Sequence, residues 1–248
     1  MRQTLTVVAL LMWLGGCDEA PSPRYPYYPD SGMYYLDSGT YYLDSGAYFL
    51  DGAAPPAADS GAAPDACPIT DVLPGDPLRT AACWAVQKGI MDAPGGLFQP
   101  TGTLTRAVMA KQIVLLAFGS TFALASQSRF SDVPQSDPYY KYVQKLGEEK
   151  ISAGCTVAGD KFCPGDLATN AHGASFVVNL KYKAQTVTLA SQTPYFTDVA
   201  ASHWGFTTIQ KLHEDKSDAP CGAQTYCPDS SITRGKWATV LHASFPNK

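Results

Sequence analysis

No stretch of this sequence is apolar for long enough to cross a bilayer comfortably: the run Leu5 to Leu14 is half of the roughly 20 residues that a spanning helix needs. Catalytic signatures are missing as well. There is no Gly-x-Ser-x-Gly, no His-Glu-x-x-His and no phosphate-binding loop, and no pair of carboxylates stands out as a general acid and base. The four histidines, His172, His203, His213 and His242, are scattered and read as solvated or structural side chains. Neither an enzyme nor a bound cofactor is therefore expected. Positive charge is also in short supply, with a formal net charge of −4. A nucleic-acid partner calls for a concentrated basic face, which argues against one here.

What is present starts with a targeting segment, residues 1–17. Arg2 precedes the short apolar run, and Leu14-Gly15-Gly16-Cys17 resembles the lipobox of bacterial lipoproteins. That resemblance implies cleavage before Cys17 and lipid on Cys17; an ordinary secretory signal is the competing reading. Acyl burial is worth about 0.8 kcal/mol per methylene, so several chains would hold the protein on a membrane essentially permanently.

Residues 18–66 read as a disordered tether. Three heptads starting at Tyr27, Tyr34 and Tyr41 place Asp-Ser-Gly every seven residues, which breaks any helix, and Pro, Ala and Gly dominate from Gly52 onward. Short biased repeats without aliphatic bulk build no core. An aromatic platform that sticks to glycan or to other chains is the alternative reading. As a flexible coil the tether would span roughly 40 Å root mean square. Its charge is acidic, with eight acids and one arginine, whereas 67–248 carries 16 Lys and Arg against 14 acids.

The rest of the chain repeats itself. Ile69-Thr70-Asp71-Val72, Phe130-Ser131-Asp132-Val133 and Phe196-Thr197-Asp198-Val199 are copies of one tetrapeptide, with starts 61 and 66 residues apart. Nineteen residues after each aspartate come Ile90, Ile151 and Ser217. Further on, Phe98-Gln99-Pro100 leads to Thr105, Phe162-Cys163-Pro164 to Thr169, and Tyr226-Cys227-Pro228 to Thr233. Aromatic-x-Pro followed by Thr reads as a turn that stops at a helix start, with the hydroxyl capping the first helical turn. An apolar run of helical period follows each threonine, so one supersecondary unit is used three times, each too small to bury its own apolar face.

With these residues in place the chain resembles three consecutive S-layer homology (SLH) repeats, at about 67–122, 128–185 and 194–245. The family pattern runs from an aromatic-x-Asp-Val entry through a first helix to a Lys-Gly-Ile-type end, then a turn with Phe-x-Pro and Thr-Arg-Ala-Glu opening a second helix. Here the last motif reads Thr105-Arg106-Ala107-Val108, Thr169-Asn170-Ala171-His172 and Thr233-Arg234-Gly235-Lys236. No copy keeps the glutamate, so the reciprocal capping box is expected to be lost. The middle copy also lacks the arginine, and its groove is expected to be degenerate.

Six cysteines remain beside Cys17. Cys155 and Cys221 each follow their repeat's aspartate by 23 residues, and Cys163 and Cys227 each precede the turn proline. Equivalent places argue for one bridge per loop in an oxidising compartment, leaving Cys67 with Cys83. Metal is the competing reading, but two cysteines per loop with no nearby histidine make a poor zinc shell, so no metal is expected.

The resemblance implies a mainly α architecture: a pseudo-threefold spindle with one helix of each repeat in a central bundle and ligand grooves between repeats. The implied ligand is a cell-wall or envelope polysaccharide, often carrying pyruvate ketals. Carried over residue by residue, the family's arginine falls on Arg106 and Arg234; Trp204 and Trp84 are the candidates for stacking on sugar, and Lys111 and Trp237 are weaker ones. The expected function is non-covalent attachment to that polysaccharide by an envelope protein held on a membrane through its N-terminal lipid, facing the periplasm or the surface. The alternative is a degenerate spindle that serves as a structural or protein-interaction module and partners another envelope protein.

Overall fold

The computed structural model describes residues 67–124 and 128–248, together with the backbone of four short strands before them. Two compact units are present, Met1–Asp65 and Ala66–Lys248. In the first, β1 (Tyr27–Tyr28), β2 (Met33–Leu36), β3 (Thr40–Leu43) and β4 (Tyr48–Leu50) pair antiparallel in chain order. Along the sequence the Asp-Ser-Gly triplets at 30–32, 37–39 and 44–46 alternate with these strands. The remaining residues of the expected tether, and all of the expected signal segment with Cys17, lie outside the described residues.

The second unit is helical: α1 (Arg79–Gln87), α2 (Arg106–Phe118), α3 (Tyr140–Glu148), α4 (Asn170–Lys181), α5 (Phe206–Glu214) and α6 (Arg234–Ser244). No helix among the described residues is long and apolar enough to cross a membrane. The six form three helix–loop–helix repeats. In each, the entry aspartate reaches across to the turn before the second helix. Asp71 accepts the N–H groups of Phe98 and Gln99 at 2.7 and 2.6 Å, Asp132 those of Phe162 and Cys163 at 2.8 and 2.7 Å, and Asp198 those of Tyr226 and Cys227 at 2.9 and 2.7 Å. Gln99, Cys163 and Cys227 all sit at φ 56°, a left-handed conformation uncommon for non-glycine residues, and the aspartate bonds help to hold it. That threefold recurrence explains why an aspartate and an aromatic-x-Pro turn keep register over nearly 30 residues.

Thr105, Thr169 and Thr233 cap the second helices as expected, accepting the N–H groups of Val108, His172 and Lys236. One expectation is corrected here. The reciprocal capping box is present in the second repeat, because His172 Nδ1 takes the place of the missing glutamate and accepts the Thr169 N–H at 3.0 Å.

The repeats do not close on themselves; they close on one another. The first helix of each packs against the second helix of the one before, α3 on α2 and α5 on α4, and α1 completes the circle on α6. A matching ring of backbone bonds runs through the loops. Leu104 N–H donates to Ile232 C=O, Ile232 N–H to Ala168 C=O, and Ala168 N–H to Leu104 C=O. The second helices lack a one-sided apolar face, as befits central positions, whereas α3 and α5 are strongly amphipathic and lie outside. Phe98, Phe130, Phe162, Met109, Ile113, Leu146, Ile209 and Trp237 are among the fully buried side chains of the shared core.

The expected disulfides are formed, with Cα–Cα distances of 5.4 Å for Cys67–Cys83 and 6.0 Å for both Cys155–Cys163 and Cys221–Cys227. In the chain-entropy account loops of these sizes contribute about 2–3 kcal/mol each. The Cys67–Cys83 bridge ties the repeat's entry to its first helix. In the other repeats glutamines do that work: Gln144 Oε1 accepts from Arg129 and Phe130, and Gln210 Oε1 from Tyr195.

Candidate functional site

Each second helix starts inside a seam between two repeats, and its first N–H groups are already taken. Arg106 and Ala107 donate to Asp166 and Pro164 of repeat 2, Asn170 and Ala171 to Ser230 and Pro228 of repeat 3, and Arg234 and Gly235 to Gly102 and Pro100 of repeat 1. The helix ends therefore offer a ligand no free backbone donors at these positions, and recognition of an anion falls to the side chains.

Those side chains differ from seam to seam. Between repeats 1 and 2, Arg106 is 2 % exposed; its Nε donates to Phe162 C=O at 2.8 Å and its guanidinium lies 4.7 Å from the centre of the Phe162 ring. Its Nη2 is buried and has no hydrogen-bond partner. Burial lowers its pKa, with Asp166 and Asp132 opposing, and an arginine stays charged under that pressure. Between repeats 3 and 1, Arg234 repeats the geometry on Phe98, with 2.7 Å to the carbonyl and 5.1 Å to the ring. There the guanidinium is occupied: Nη1 meets Asp92 Oδ1 at 3.2 Å and Nη2 donates to Asp92 C=O at 2.5 Å. Between repeats 2 and 3, Asn170 Nδ2 reaches Cys227 C=O at 2.7 Å, and a cation arrives from the other side. Lys236 Nζ lies 3.5 Å from Tyr226 C=O and 5.2 Å from the Tyr226 ring, which is where arginine stands in the other seams. Burial pushes the Lys236 amine down to about 8, against the charges of Asp218 and Asp198.

The repeat 1–2 seam opens into a groove of ≈ 490 Å³ lined by Arg106, Ser152, Thr156, His172, Asn179 and Trp204 among others. Trp204 is 58 % exposed, and its ring centre lies 5.1 Å from that of His172 and 5.6 Å from that of His203. His203 is held in turn: its Nδ1 accepts Gly205 N–H at 3.0 Å and its Nε2 lies 3.2 Å from Asp229 Oδ1. A buried cation with an unused donor beside an exposed indole suits a saccharide that carries an anionic group, since the ring can cover an apolar sugar face. A larger groove of ≈ 690 Å³ lies at the far ends of α2 and α4, lined by Leu116, Phe118, Leu180, Lys181 and Phe245. Its Lys181 is already paired with Asp215 at 2.8 Å, and Lys150, Lys183 and Lys248 line it together with Glu148 and Glu149.

Of the residues singled out in the sequence, Arg106 and Trp204 come together and the others do not. Arg234 sits in another seam with Asp92. Trp84 packs edge-on against His242, 5.3 Å between ring centres, where α1 meets α6. Lys111 is exposed on α2 and outside the groove. Trp237 is wholly buried core. The second repeat supplies most of the groove's lining, between Arg106 of repeat 1 and Trp204 of repeat 3. Asn170 turns to Cys227 C=O, away from this groove, whereas His172 lines it. The signal available for His172 was its place at the third helical position of Thr169-Asn170-Ala171-His172, where a side-chain acceptor can close a capping box. Two clusters, Asp132 with Cys155 and Cys163 and Asp198 with Cys221 and Cys227, bring a carboxylate and sulfurs close together. Their sulfurs are in disulfides and their carboxylates accept backbone N–H groups, so these donors are spent.

Comparison with known families matches the chain to the S-layer homology domain over residues 68–110 and 129–154. The matched segments contain α1, α3, the start of α2 with Arg106, and the Ser152 side of the groove. A search of curated proteins finds no match. The matched family is that of a binding and structural domain generally involved in binding cell-wall polymers in the envelope.

Proposed function

We propose that the chain is a lipid-anchored envelope protein whose three repeats, including 194–245 as a third S-layer homology repeat, attach non-covalently to a cell-wall or envelope polysaccharide. The observation that carries this reading is the repeat 1–2 groove, where the buried Arg106 keeps one unpartnered donor beside the exposed Trp204. Lipid on Cys17 would hold the other end on a membrane. Residues 18–66 would separate the two attachments, so the protein would link membrane to wall. A second reading, a spindle that presents a protein-interaction surface, draws support from the Arg234 seam, where Asp92 already fills the guanidinium.

Two measurements test the proposal. Full chain mixed with isolated sacculi should co-sediment, and Trp204→Ala should weaken that binding by about tenfold, as expected for loss of roughly 1–1.5 kcal/mol of stacking at a half-open site, without lowering the melting temperature. Undiminished binding of Trp204→Ala would move the ligand away from this groove. Cys17→Ser should free the protein from membranes in a high-salt wash; a mutant that stays bound as firmly as wild type would remove the lipid anchor from the account.

A further inference from the structure

The groove of ≈ 690 Å³ at the far ends of α2 and α4 has an apolar floor, formed by Leu116, Phe118, Leu180 and Phe245 among others, and a charged rim. The rim acids are committed, since Lys145 takes Glu148 and Glu149 at 3.6 and 2.6 Å, and Lys181 is paired with Asp215. Lys150, Lys183 and Lys248 are exposed and form no ion pair among the described residues. Two of these three stand where lysine is a poor choice. Lys150 and Lys183, just past the ends of α3 and α4, have φ of 57° and 53°, in the left-handed region that favours glycine. Repeat 1 has a glycine, Gly89, at the place equivalent to Lys150, while repeat 3 has Lys216. A lysine held where glycine would serve points to a use for its side chain. The same helices also serve the polysaccharide groove: α2 carries Arg106 at its first residue and Phe118 at its last, about 18 Å apart by helical rise.

We infer that this face docks on an anionic membrane surface, with Lys150, Lys183 and Lys248 meeting the phosphate headgroups and the apolar floor meeting the hydrocarbon beneath them. Unpaired cations outside half-buried apolar side chains match the layering of a lipid surface. A peptide is served less well, because it needs fixed partners for its backbone. Asn179 is the only neutral polar side chain of the lining, and its Nδ2 is already given to Ile151 C=O at 3.0 Å and Ser175 Oγ at 3.3 Å. The contact goes beyond the proposed function and needs no lipid on Cys17: such a lipid keeps the chain near a membrane, and this face orients it. With the face on the bilayer, the Arg106 end of α2 points away from the membrane.

The test follows amide hydrogen exchange of the full chain mixed with vesicles of phosphatidylcholine alone or with an equal part of phosphatidylglycerol. Exchange at the ends of α2, α3, α4 and α6 should slow on the anionic vesicles only, and the slowing should fade as salt is raised. The Cys17→Ser chain should show the same local pattern, so a failed lipid anchor leaves this result standing. Lys150→Gly and Lys183→Gly suit the left-handed backbone and should melt no lower than wild type. Each should nevertheless need about fivefold more anionic lipid for half-maximal slowing, and Lys248→Gln should do the same. Equal slowing on both kinds of vesicle, or none on either, overturns the inference. So do glycine variants that match wild type in their lipid requirement, which would make these lysines helix-end residues and nothing more. Slowing that grows with protein concentration in the absence of vesicles assigns the face to a second copy and overturns the lipid. Slowing by a soluble glutamate-rich peptide, with none on vesicles, overturns it in favour of an acidic protein.

Discussion

Trp237→Ala should cost about 3–5 kcal/mol, a large share of the roughly 5–15 kcal/mol that holds a typical domain folded, because the indole is fully buried and its removal leaves a cavity. The side chain fills space against Gly173 of α4, where an added Cβ would come within 3.4 Å of the ring. It therefore sits where two central helices of the spindle meet. Its Nε1 is buried without a partner, so Trp237→Phe should cost far less than the alanine change, since it also removes an unsatisfied donor. Urea unfolding of the three proteins checks this ordering. In the folded fraction, sacculus binding by both variants should match wild type, which separates this core tryptophan from Trp204.

The second large effect is on binding. Arg106→Ala should weaken attachment to sacculi by roughly 10–150-fold, corresponding to loss of a charge-assisted bond of about 1.5–3 kcal/mol. It should also destabilise the fold by about 2 kcal/mol, because the Phe162 carbonyl loses its donor and the ring loses a desolvated cation. Arg234→Ala should behave differently. Its guanidinium already holds Asp92, so its removal should change sacculus binding by less than about threefold, as for a rim charge pair. Equal losses in the two arginine variants would show that Asp92 yields to the ligand and that both seams are used.

Acid should act on the fold through the first entry aspartate, Asp71. Burial alone would raise the Asp71 carboxyl, but the bonds from Gln99 and Phe98 outweigh it and hold the group below 3.8. Its folded-state pKa is depressed, so its contribution is complete above the unfolded value and is lost as pH falls through the folded one.

The parts of this structure that were legible in the sequence are those made by short-range rules repeated in register. The entry aspartates, the aromatic-x-Pro turns and the three threonine caps each recur in register and serve one physical purpose three times, and the loop cysteine pairs do so twice. What a repeat-by-repeat comparison hides is everything that depends on closure. That α1 packs on α6 follows from a ring of contacts no single repeat contains. Arg106 and His172 come from different copies yet share one groove, and Lys236 supplies the cation that Asn170 lacks. Asp92 carries no motif and meets Arg234 across 142 positions of chain, so nothing local marks it.

The most direct test of the central claim is to record backbone and side-chain chemical-shift changes in the full chain as an acidic polysaccharide fragment released from sacculi is added. The account predicts that the largest shifts cluster on the Trp204 indole, the His172 ring, the Arg106 guanidinium and Ser152. Shifts concentrated instead on Leu116, Phe118, Leu180 and Phe245, at the far ends of α2 and α4, would contradict it.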